Sequence, residues 1–211
     1  MGGISKALRG TRSTGREPGF TLIEMLFTVT LSGIVLAIAA PSFARMNADI
    51  RTRSTAEQLA GALRLAQSSA VTRNRTAAFL LTDAAPVEDA TPTVNGTNWL
   101  VKFLPSASPR SEQGSSDLIQ VATIARQNRV TLTGPAQVCF DAQGMQAIAP
   151  GTTGGPSNAC SMPGDAHGGP TSYLVSRTDA TRRFNVRVYR TGRVAVCDAA
   201  EERVQPPTSC L

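Results

Sequence analysis

A continuous apolar segment dominates the amino-terminal part of the chain. Residues 20–40 form a run of 21 residues that contains a single charged side chain, Glu24. As an α-helix this run would be about 31 Å long, which matches the hydrocarbon thickness of a bilayer. Four basic residues and one acidic residue precede it, and this net charge of +3 favours a cytoplasmic amino terminus. The pattern predicts a helix that crosses a membrane.

Helical periodicity continues beyond Pro41 as an amphipathic pattern. Small apolar residues recur at spacings of three and four, and so share one face of a helix: Ala56, Leu59, Ala62, Leu63, Ala66 and Ala70. The helix is predicted to end near residues 73–75. From Phe20 to Thr72 it would run about 80 Å, so half of it must lie in a membrane or in a filament.

After residue 75 the pattern changes to the alternation of strands. Seven segments are predicted strands: residues 77–81, 99–104, 118–124, 138–140, 173–175, 184–189 and 193–197. The pattern predicts an α+β fold, in which one long amino-terminal helix packs on an antiparallel β-sheet. Four segments follow: a leader (1–19), the apolar half of the helix (20–44), its amphipathic half (45–75) and a β-rich head (76–211).

Four cysteines lie in the last third of the chain: Cys139, Cys160, Cys197 and Cys210. None belongs to a Cys-x-x-Cys pair, which argues against zinc binding and thioredoxin-type chemistry. Only 17% of the residues are charged, below the average of about 25%, as suits an exported protein. In an oxidising compartment two disulfides are favoured over free thiols. Three connectivities are open, and the nearest-neighbour pairing, Cys139 with Cys160 and Cys197 with Cys210, is preferred.

The chain offers few candidates for catalysis or metal binding. Its single histidine, His167, lies near Asp165 in a glycine-rich segment, without a second histidine or a nucleophilic serine elbow. An exposed loop histidine is the better interpretation. The glycine clusters at residues 151–155 and 168–169 do not connect a strand to a helix, so they do not predict a phosphate-binding loop. We expect no catalytic residue, no metal and no cofactor.

A basic cluster lies near the carboxyl terminus. Residues 177–193 contain six arginines and one acidic residue, a net charge of +5. Strand alternation predicts that two of them face away from the helix, and the sequence Arg-Thr-Gly-Arg predicts a two-residue hairpin turn with two more at its tip. These candidate anion-binding residues are Arg183 and Arg187 on the strand and Arg190 and Arg193 at the turn. They could bind the phosphates of DNA. The alternatives are a solvated face of the sheet, or a face that meets acidic residues of a neighbouring protein.

The amino-terminal segment has two interpretations. The first is a secretory signal peptide with a small-residue cleavage site at residues 37–39, which would release a secreted enzyme beginning at Ala40. This leaves Glu24 unexplained, because a carboxylate in an apolar run is costly without a partner. The second interpretation starts from residues 19–24, Gly-Phe-Thr-Leu-Ile-Glu, which closely resemble the cleavage motif of type IV prepilins.

The resemblance to prepilins implies roles for four residues. It implies that a prepilin peptidase, which is also the N-methyltransferase, cuts after Gly19 and methylates the new amino terminus at Phe20. Glu24 would neutralise the amino-terminal amine of a neighbouring subunit during assembly, and buried opposite charges should indeed come as pairs. Pro41 stands where pilins often carry a proline that disturbs the helix.

A second resemblance narrows the family. Residues 59–75, Leu-Ala-Gly-Ala-Leu-Arg-Leu-Ala-Gln-Ser-Ser-Ala-Val-Thr-Arg-Asn-Arg, are similar to the signature of the GspH/FimT family of minor pilins and pseudopilins, and residues 40–43 favour its pilus branch. This implies a structural, non-enzymatic subunit that helps to initiate a type IV pilus. The implied partners are other major and minor pilins, membrane lipid before assembly, and the inner-membrane assembly platform. The implied location is the inner membrane, with a single span and a periplasmic head, and later the filament at the cell surface.

Two alternatives within the family remain open. One is a pseudopilin of a type II secretion system, which has the same fold. The other is a DNA-binding pilin for natural transformation, since some family members bind DNA through a carboxyl-terminal Gly-Arg-x-Arg motif. Here that motif stands as Gly192-Arg193-Val194-Ala195. Ala195 replaces the second arginine, which weighs against DNA binding.

Overall fold

The chain divides into two compact units between Ser42 and Phe43. The structure is a computed structural model, and it describes residues 19–104, 117–123, 129–147, 160 and 169–200. Among the described residues, all that are buried in the core belong to the second unit.

A single helix, α1, extends over Leu22–Arg73. The predicted stripe of small apolar residues is buried along its second half, so the helical periodicity is confirmed. The helix ends where the pattern predicts, because Asn74 adopts a left-handed conformation with a φ of 49°. The Asn74 N–H donates to the Val71 carbonyl (3.3 Å) and the Arg75 N–H to the Ala70 carbonyl (3.1 Å). These two bonds form a Schellman motif, which satisfies carbonyls at the helix end.

Nine strands follow the helix within the described residues: β1 (Ala77–Thr82), β2 (Asn98–Phe103), β3 (Leu118–Ala122), β4 (Thr131–Thr133), β5 (Gln137–Phe140), β6 (Gln146–Ala147), β7 (Thr171–Ser176), β8 (Phe184–Val188) and β9 (Val194–Asp198). They form two antiparallel sheets. The first has the order β3-β2-β1-β5-β6 and the second the order β4-β7-β8-β9. Strand β1 is central to the first sheet and buried along its whole length.

The apolar stripe of α1 and the inner faces of both sheets share one core. Phe79 of β1 lies at its centre. Its ring centroid is 5.7 Å from that of Trp99 in the first sheet and 5.5 Å from that of Tyr173 in the second. The Phe79–Tyr173 contact is edge-to-face, a favoured arrangement for aromatic rings. The aromatic cluster therefore joins the two sheets beneath the helix.

The α+β class is confirmed, but the predicted single sheet is two sheets. Seven of the strands correspond to the predicted segments, with ends that differ by a few residues. Strands β4 and β6 were not predicted. They are three and two residues long, which is too short for an alternating pattern to be recognised.

Candidate functional site

The amino-terminal motif forms the first turn of α1. Thr21 precedes the helix, and its hydroxyl accepts a hydrogen bond from the Glu24 N–H (3.2 Å). The Thr21 carbonyl accepts from the Met25 N–H (3.1 Å). A threonine followed three residues later by a glutamate is the sequence signature of a helix amino terminus. Glu24 therefore lies in the first turn, where the helix dipole favours a carboxylate.

Phe20 and Glu24 are both open to the surroundings. Phe20 is 79% exposed, and Glu24 is also exposed. Within the described residues Glu24 takes part in none of the ion pairs. A carboxylate on an apolar surface is stabilised when a cation binds to it as that surface is buried. The first turn of α1 is therefore suited to receive a cation from outside the chain.

The first half of α1 is apolar and exposed. Among the described residues, α1 is the one helix long and apolar enough to cross a membrane. Its hydroxyl groups bond to its own backbone, as an apolar environment requires: Thr28 donates to the Met25 carbonyl (3.0 Å) and Ser32 to the Thr28 carbonyl (2.7 Å). Pro41 lies inside the helix and has no N–H to donate. The helix disturbance expected there stays a prediction.

A disulfide ties β5 to a later segment of the chain. It joins Cys139 to Cys160, with Cα atoms 5.5 Å apart, and this is the pairing preferred from the sequence. Both cysteines are buried. Cys197 on β9 is also disulfide-bonded. Its expected partner, Cys210, lies outside the described residues, so that pairing stays a prediction.

Residues 189–193, which we call the arginine turn, connect β8 to β9. The Gly192 N–H donates to the Tyr189 carbonyl (2.8 Å), and the Tyr189 N–H donates to the Arg193 carbonyl (2.9 Å). Gly192 has a φ of 83°, as a glycine that follows a turn of this kind requires. The predicted two-residue turn is therefore wrong. The hydrogen bond between Tyr189 and Arg193 closes a loop of three residues, 190–192, in which Gly192 comes directly after the turn instead of at its centre.

The arginine turn packs on the β5–β6 turn and on α1. The Gln146 N–H donates to the Arg190 carbonyl (3.0 Å), and Gln67 of α1 donates through Nε2 to the Gly144 carbonyl (2.8 Å). A Cβ atom at Gly192 would overlap that carbonyl oxygen and the Gln67 amide. The turn can therefore occupy this position only because glycine, which has no side chain, stands at residue 192.

Arg64 joins the arginine turn from the helix. Its Nη2 donates to the Val194 carbonyl (3.1 Å), and Val194 directly follows Arg193. The side chains of Arg64 and Arg193 are exposed. The Arg193 guanidinium lies 5.6 Å from the centre of the Tyr189 ring. Sequence reasoning missed Arg64, because a polar position on the outer face of a helix gives no sign of a strand 130 residues later.

Two arginines of the basic cluster are paired with carboxylates. Arg177 donates to Asp179, with Nη2 2.7 Å from Oδ2. The side-chain hydrogen bonding raises the pKa of Arg177 and lowers the pKa of Asp179. Arg182 lies 2.7 Å from Asp198, which is buried. The arginines that remain in this cluster are the four selected from the sequence.

The outward-facing arginines differ in exposure. Phe184, Val186 and Val188 are buried in the core shared with the helix, so the predicted alternation along β8 is observed. Arg183 is exposed. Arg187 lies opposite Ser172 and Ala195 in the sheet and is only half-exposed, with its Nε atom buried. Arg183, Arg190 and Arg193 are therefore the accessible cations of the set.

Several sequence candidates lie outside the described residues. These are His167, Asp165 and the glycine clusters at residues 151–155 and 168. Within the part of the chain that the structure describes, no group of three or more His, Cys, Asp or Glu side chains could hold a metal ion.

Comparison with known proteins gives two family matches. The family described as Type II transport protein GspH matches residues 55–192, and the Prokaryotic N-terminal methylation motif matches residues 15–40. No curated protein sequence matches the chain. Two crystal structures of the type IV minor pilin FimU from Pseudomonas aeruginosa (strain PAO1) are similar at 16% identity. They cover 75% of this chain and 99% and 94% of their own, with TM-scores of 0.43 and 0.44.

The two family matches fit the geometry of the chain. The methylation motif covers the capped first turn and the apolar half of α1. The longer match covers more than half of the chain, from the buried stripe of α1 to Gly192 in the arginine turn. The chain therefore belongs to the GspH family of type IV pilins and pseudopilins, and it carries the N-terminal methylation motif.

Proposed function

We propose that this chain is a structural minor pilin of a type IV pilus and has no catalytic role. Prepilin peptidase cuts it after Gly19 and methylates Phe20. The first half of α1 then holds it in the inner membrane, with its head in the periplasm, until the assembly platform transfers it into a filament with other pilins. The observation that carries this proposal is the exposed Glu24 carboxylate in the first turn of an otherwise apolar helix.

Cleavage and assembly are chemically linked at this turn. Cutting after Gly19 creates an ammonium group on the backbone of Phe20. The side chain of Phe20 is apolar and exposed. Moving that ammonium group and a carboxylate into an apolar filament core is costly unless they meet as a pair. Glu24 supplies the carboxylate for the amine of a neighbouring subunit. The pairing fixes which subunits lie side by side.

Mass spectrometry of the mature amino terminus tests the processing step. The full chain is produced together with a prepilin peptidase and purified from membranes. We expect a chain that begins at N-methylated Phe20, and Gly19→Val blocks cleavage while Gly33→Ala does not. A chain that begins at Ala40 would identify a signal peptide and favour a secreted protein instead.

The assembly role of Glu24 has a separate test. We expect Glu24→Gln to be processed normally but to enter sheared filaments at least about tenfold less, since it leaves an ammonium group without its partner at a cost of more than about 1.4 kcal/mol. Glu57→Gln is the matched control, because Glu57 makes an exposed ion pair with Arg53 of a kind that contributes little. Equal losses in both variants would contradict the proposal.

A pseudopilin of a type II secretion system is a second candidate. The description of the matched family, Type II transport protein, favours it. Deletion of the gene separates the two machines. Loss of surface filaments with normal protein secretion supports a pilus subunit, whereas retained enzyme in the periplasm with normal piliation supports the secretion system.

DNA binding is a third candidate, favoured by the arginine turn. Arg190 and Arg193 are exposed, and Arg64 lies beside them. The test is a titration of the full chain with duplex DNA at several salt concentrations. A phosphate-binding site loses affinity with a log–log slope of about −0.9 per phosphate contact. DNA uptake is supported by binding that has this slope and is lost in a variant that combines Arg187→Ala, Arg190→Ala and Arg193→Ala. The control variant, Arg51→Ala with Arg53→Ala, should keep its binding.

A further inference from the structure

A cavity of about 270 Å³ with both polar and apolar side chains in its lining lies at the carboxyl-terminal end of α1, on the side of the head formed by β2 and β3. Hydroxyl-bearing residues of the helix form one wall, two arginines a second and an aromatic ring a third; these are Ser68, Ser69, Thr72, Arg73, Arg75 and Phe103. None of the residues proposed for processing, assembly or DNA binding lines it.

The Schellman motif brings the two arginines together. Arg73 is the last residue of α1, and the left-handed Asn74 reverses the chain direction before Arg75. Both guanidinium groups consequently lie over the same ring: their carbons are 5.8 Å and 5.1 Å from the centroid of Phe103. Phe103 is buried, with 7% of its surface exposed. The ring holds the two cations at one rim of the cavity.

The cavity has an excess of positive charge among the described residues, although Asp117 pairs with one of its two arginines. Arg75 donates to Asp117 (3.0 Å) and to the Leu104 carbonyl (3.3 Å) through Nη2. Its Nε atom is buried and has no acceptor among the described residues. Arg73 is exposed and takes part in none of the ion pairs among the described residues. Of the side chains that line the cavity and that the structure describes, two are cations and none is a carboxylate.

We propose that this cavity is a socket for an aspartate or glutamate side chain of another pilin subunit. A carboxylate is planar and accepts two parallel hydrogen bonds from guanidinium groups. It would supply a counter-ion for Arg73 beside the guanidinium of Arg75, while the hydroxyl oxygens of the helix wall accept hydrogen bonds from backbone N–H groups next to it. The choice of a pilin as partner rests on the proposed function.

The test follows the guanidinium Nε–H signals of the mature full chain, labelled with ¹⁵N-arginine in detergent, during titrations. One probe is a short blocked peptide with a central aspartate, and its matched probe has asparagine there. We expect the aspartate peptide to shift the Arg73 and Arg75 signals, and the asparagine peptide to bind at least about tenfold more weakly. Arg73→Gln should weaken binding about fivefold or more, whereas Arg51→Gln, an exposed arginine of the same helix, should leave it unchanged.

Inorganic phosphate and duplex DNA are the competing probes. A response to phosphate that matches that of the aspartate peptide would mean a site for small anions and overturn the choice of partner, as would a stronger response to DNA. The absence of any shift with the aspartate peptide would overturn the socket itself. The titration needs no filament, so its failure leaves the processing and assembly tests of Glu24 unaffected. Failure of those tests would remove the choice of a pilin as partner but not the binding of a carboxylate.

Discussion

Individual buried polar side chains in the head differ in how well they are paired. Gln146 donates to the Thr171 hydroxyl (2.7 Å), and Gln137 lies 3.3 Å from the Cys139 sulfur. Tyr173 is completely buried, and its hydroxyl has no hydrogen-bond partner within the described residues. A buried, unsatisfied hydroxyl group costs about 1–3 kcal/mol, so Tyr173 stabilises the core through its ring alone.

Tyr173→Phe should therefore leave the free energy of unfolding unchanged or raise it by up to about 1 kcal/mol. Burial raises the pKa of Tyr173 above its ordinary value of 10.0. The folded state then keeps its proton where the unfolded state loses it, so wild-type stability falls as the pH rises above 10.0 and the variant escapes this loss. Urea unfolding at neutral and alkaline pH measures both effects. Tyr189→Phe is the control, and a loss of more than about 1 kcal/mol in Tyr173→Phe would show a hydrogen bond at the hydroxyl.

Asp49 joins α1 to the loop before β8. Its carboxylate accepts from the Thr181 N–H (2.7 Å), the Thr181 hydroxyl (2.6 Å) and the Arg182 N–H (3.0 Å). Slight burial raises its pKa, but these hydrogen bonds outweigh burial and hold the pKa below the ordinary value of 3.8. A carboxyl group with a lowered pKa stabilises the fold above that value and loses this contribution as the pH falls through the folded pKa.

We expect Asp49→Asn to lower the free energy of unfolding at neutral pH by on the order of 1 kcal/mol. The difference from wild type should shrink once the pH falls below about 3.8. Unfolding curves collected from pH 7 downward check this. Asp89→Asn, at an exposed loop position, should show no comparable difference. A gap between wild type and Asp49→Asn that stays constant down to the lowest pH would contradict the role of the charge.

At the scale of helices, strands and turns, predictability from sequence depends on how local the cause is. The helix, its end near Asn74 and seven strands follow from periodicity over neighbouring residues. The division into two sheets does not, since β4 and β6 are too short to show a pattern. The cap at Thr21 also has a local cause, because a threonine followed three positions later by a glutamate is a sequence signature of a helix start. The contacts that Gln67 and Arg64 make near the arginine turn could not be predicted from local sequence, because they join residues that are far apart in the chain.

Gly192→Ala should destabilise the head by at least about 1–2 kcal/mol, because an alanine pays the steric cost of a left-handed conformation. Its Cβ would also overlap the Gly144 carbonyl oxygen. Thermal unfolding of the oxidised protein gives the comparison. Gly61→Ala, on the exposed face of α1 with open space around it, should instead stabilise by about 0.5–1 kcal/mol. Similar effects of the two substitutions would refute the packing of the arginine turn.

At the scale of the whole molecule, the described residues of the first unit contribute nothing to the core. All described residues from Gly19 to Met46 are exposed, and the first buried one is Ala48. The hydrophobic surface of the amino-terminal half of α1 is thus left for lipid or for other subunits. Its contribution to free energy appears on insertion and assembly, not on folding of the head.

Removal of residues 1–42 should change the free energy of unfolding by less than about 0.5 kcal/mol. The single tryptophan, Trp99, is buried at 3% exposure and reports unfolding by fluorescence, with both proteins measured oxidised in the same detergent. A longer deletion, of residues 1–55, also removes Ala48, Thr52 and Thr55 from the core and should be clearly less stable. If the protein without residues 1–42 showed no cooperative unfolding transition, the head would need its amino-terminal segment in order to fold.

Gly144 and Gly192 meet so closely that neither position is independent of the other. Both have positive φ values, 77° and 83°, and a side chain at Gly192 would occupy the space of the Gly144 carbonyl and the Gln67 amide. Selection therefore acts on the three positions jointly. In an alignment of relatives, positions 67, 144 and 192 should co-vary although 48 residues separate the two glycines, and a relative with a side chain at 192 should carry a shorter residue at 67 or a different β5–β6 turn.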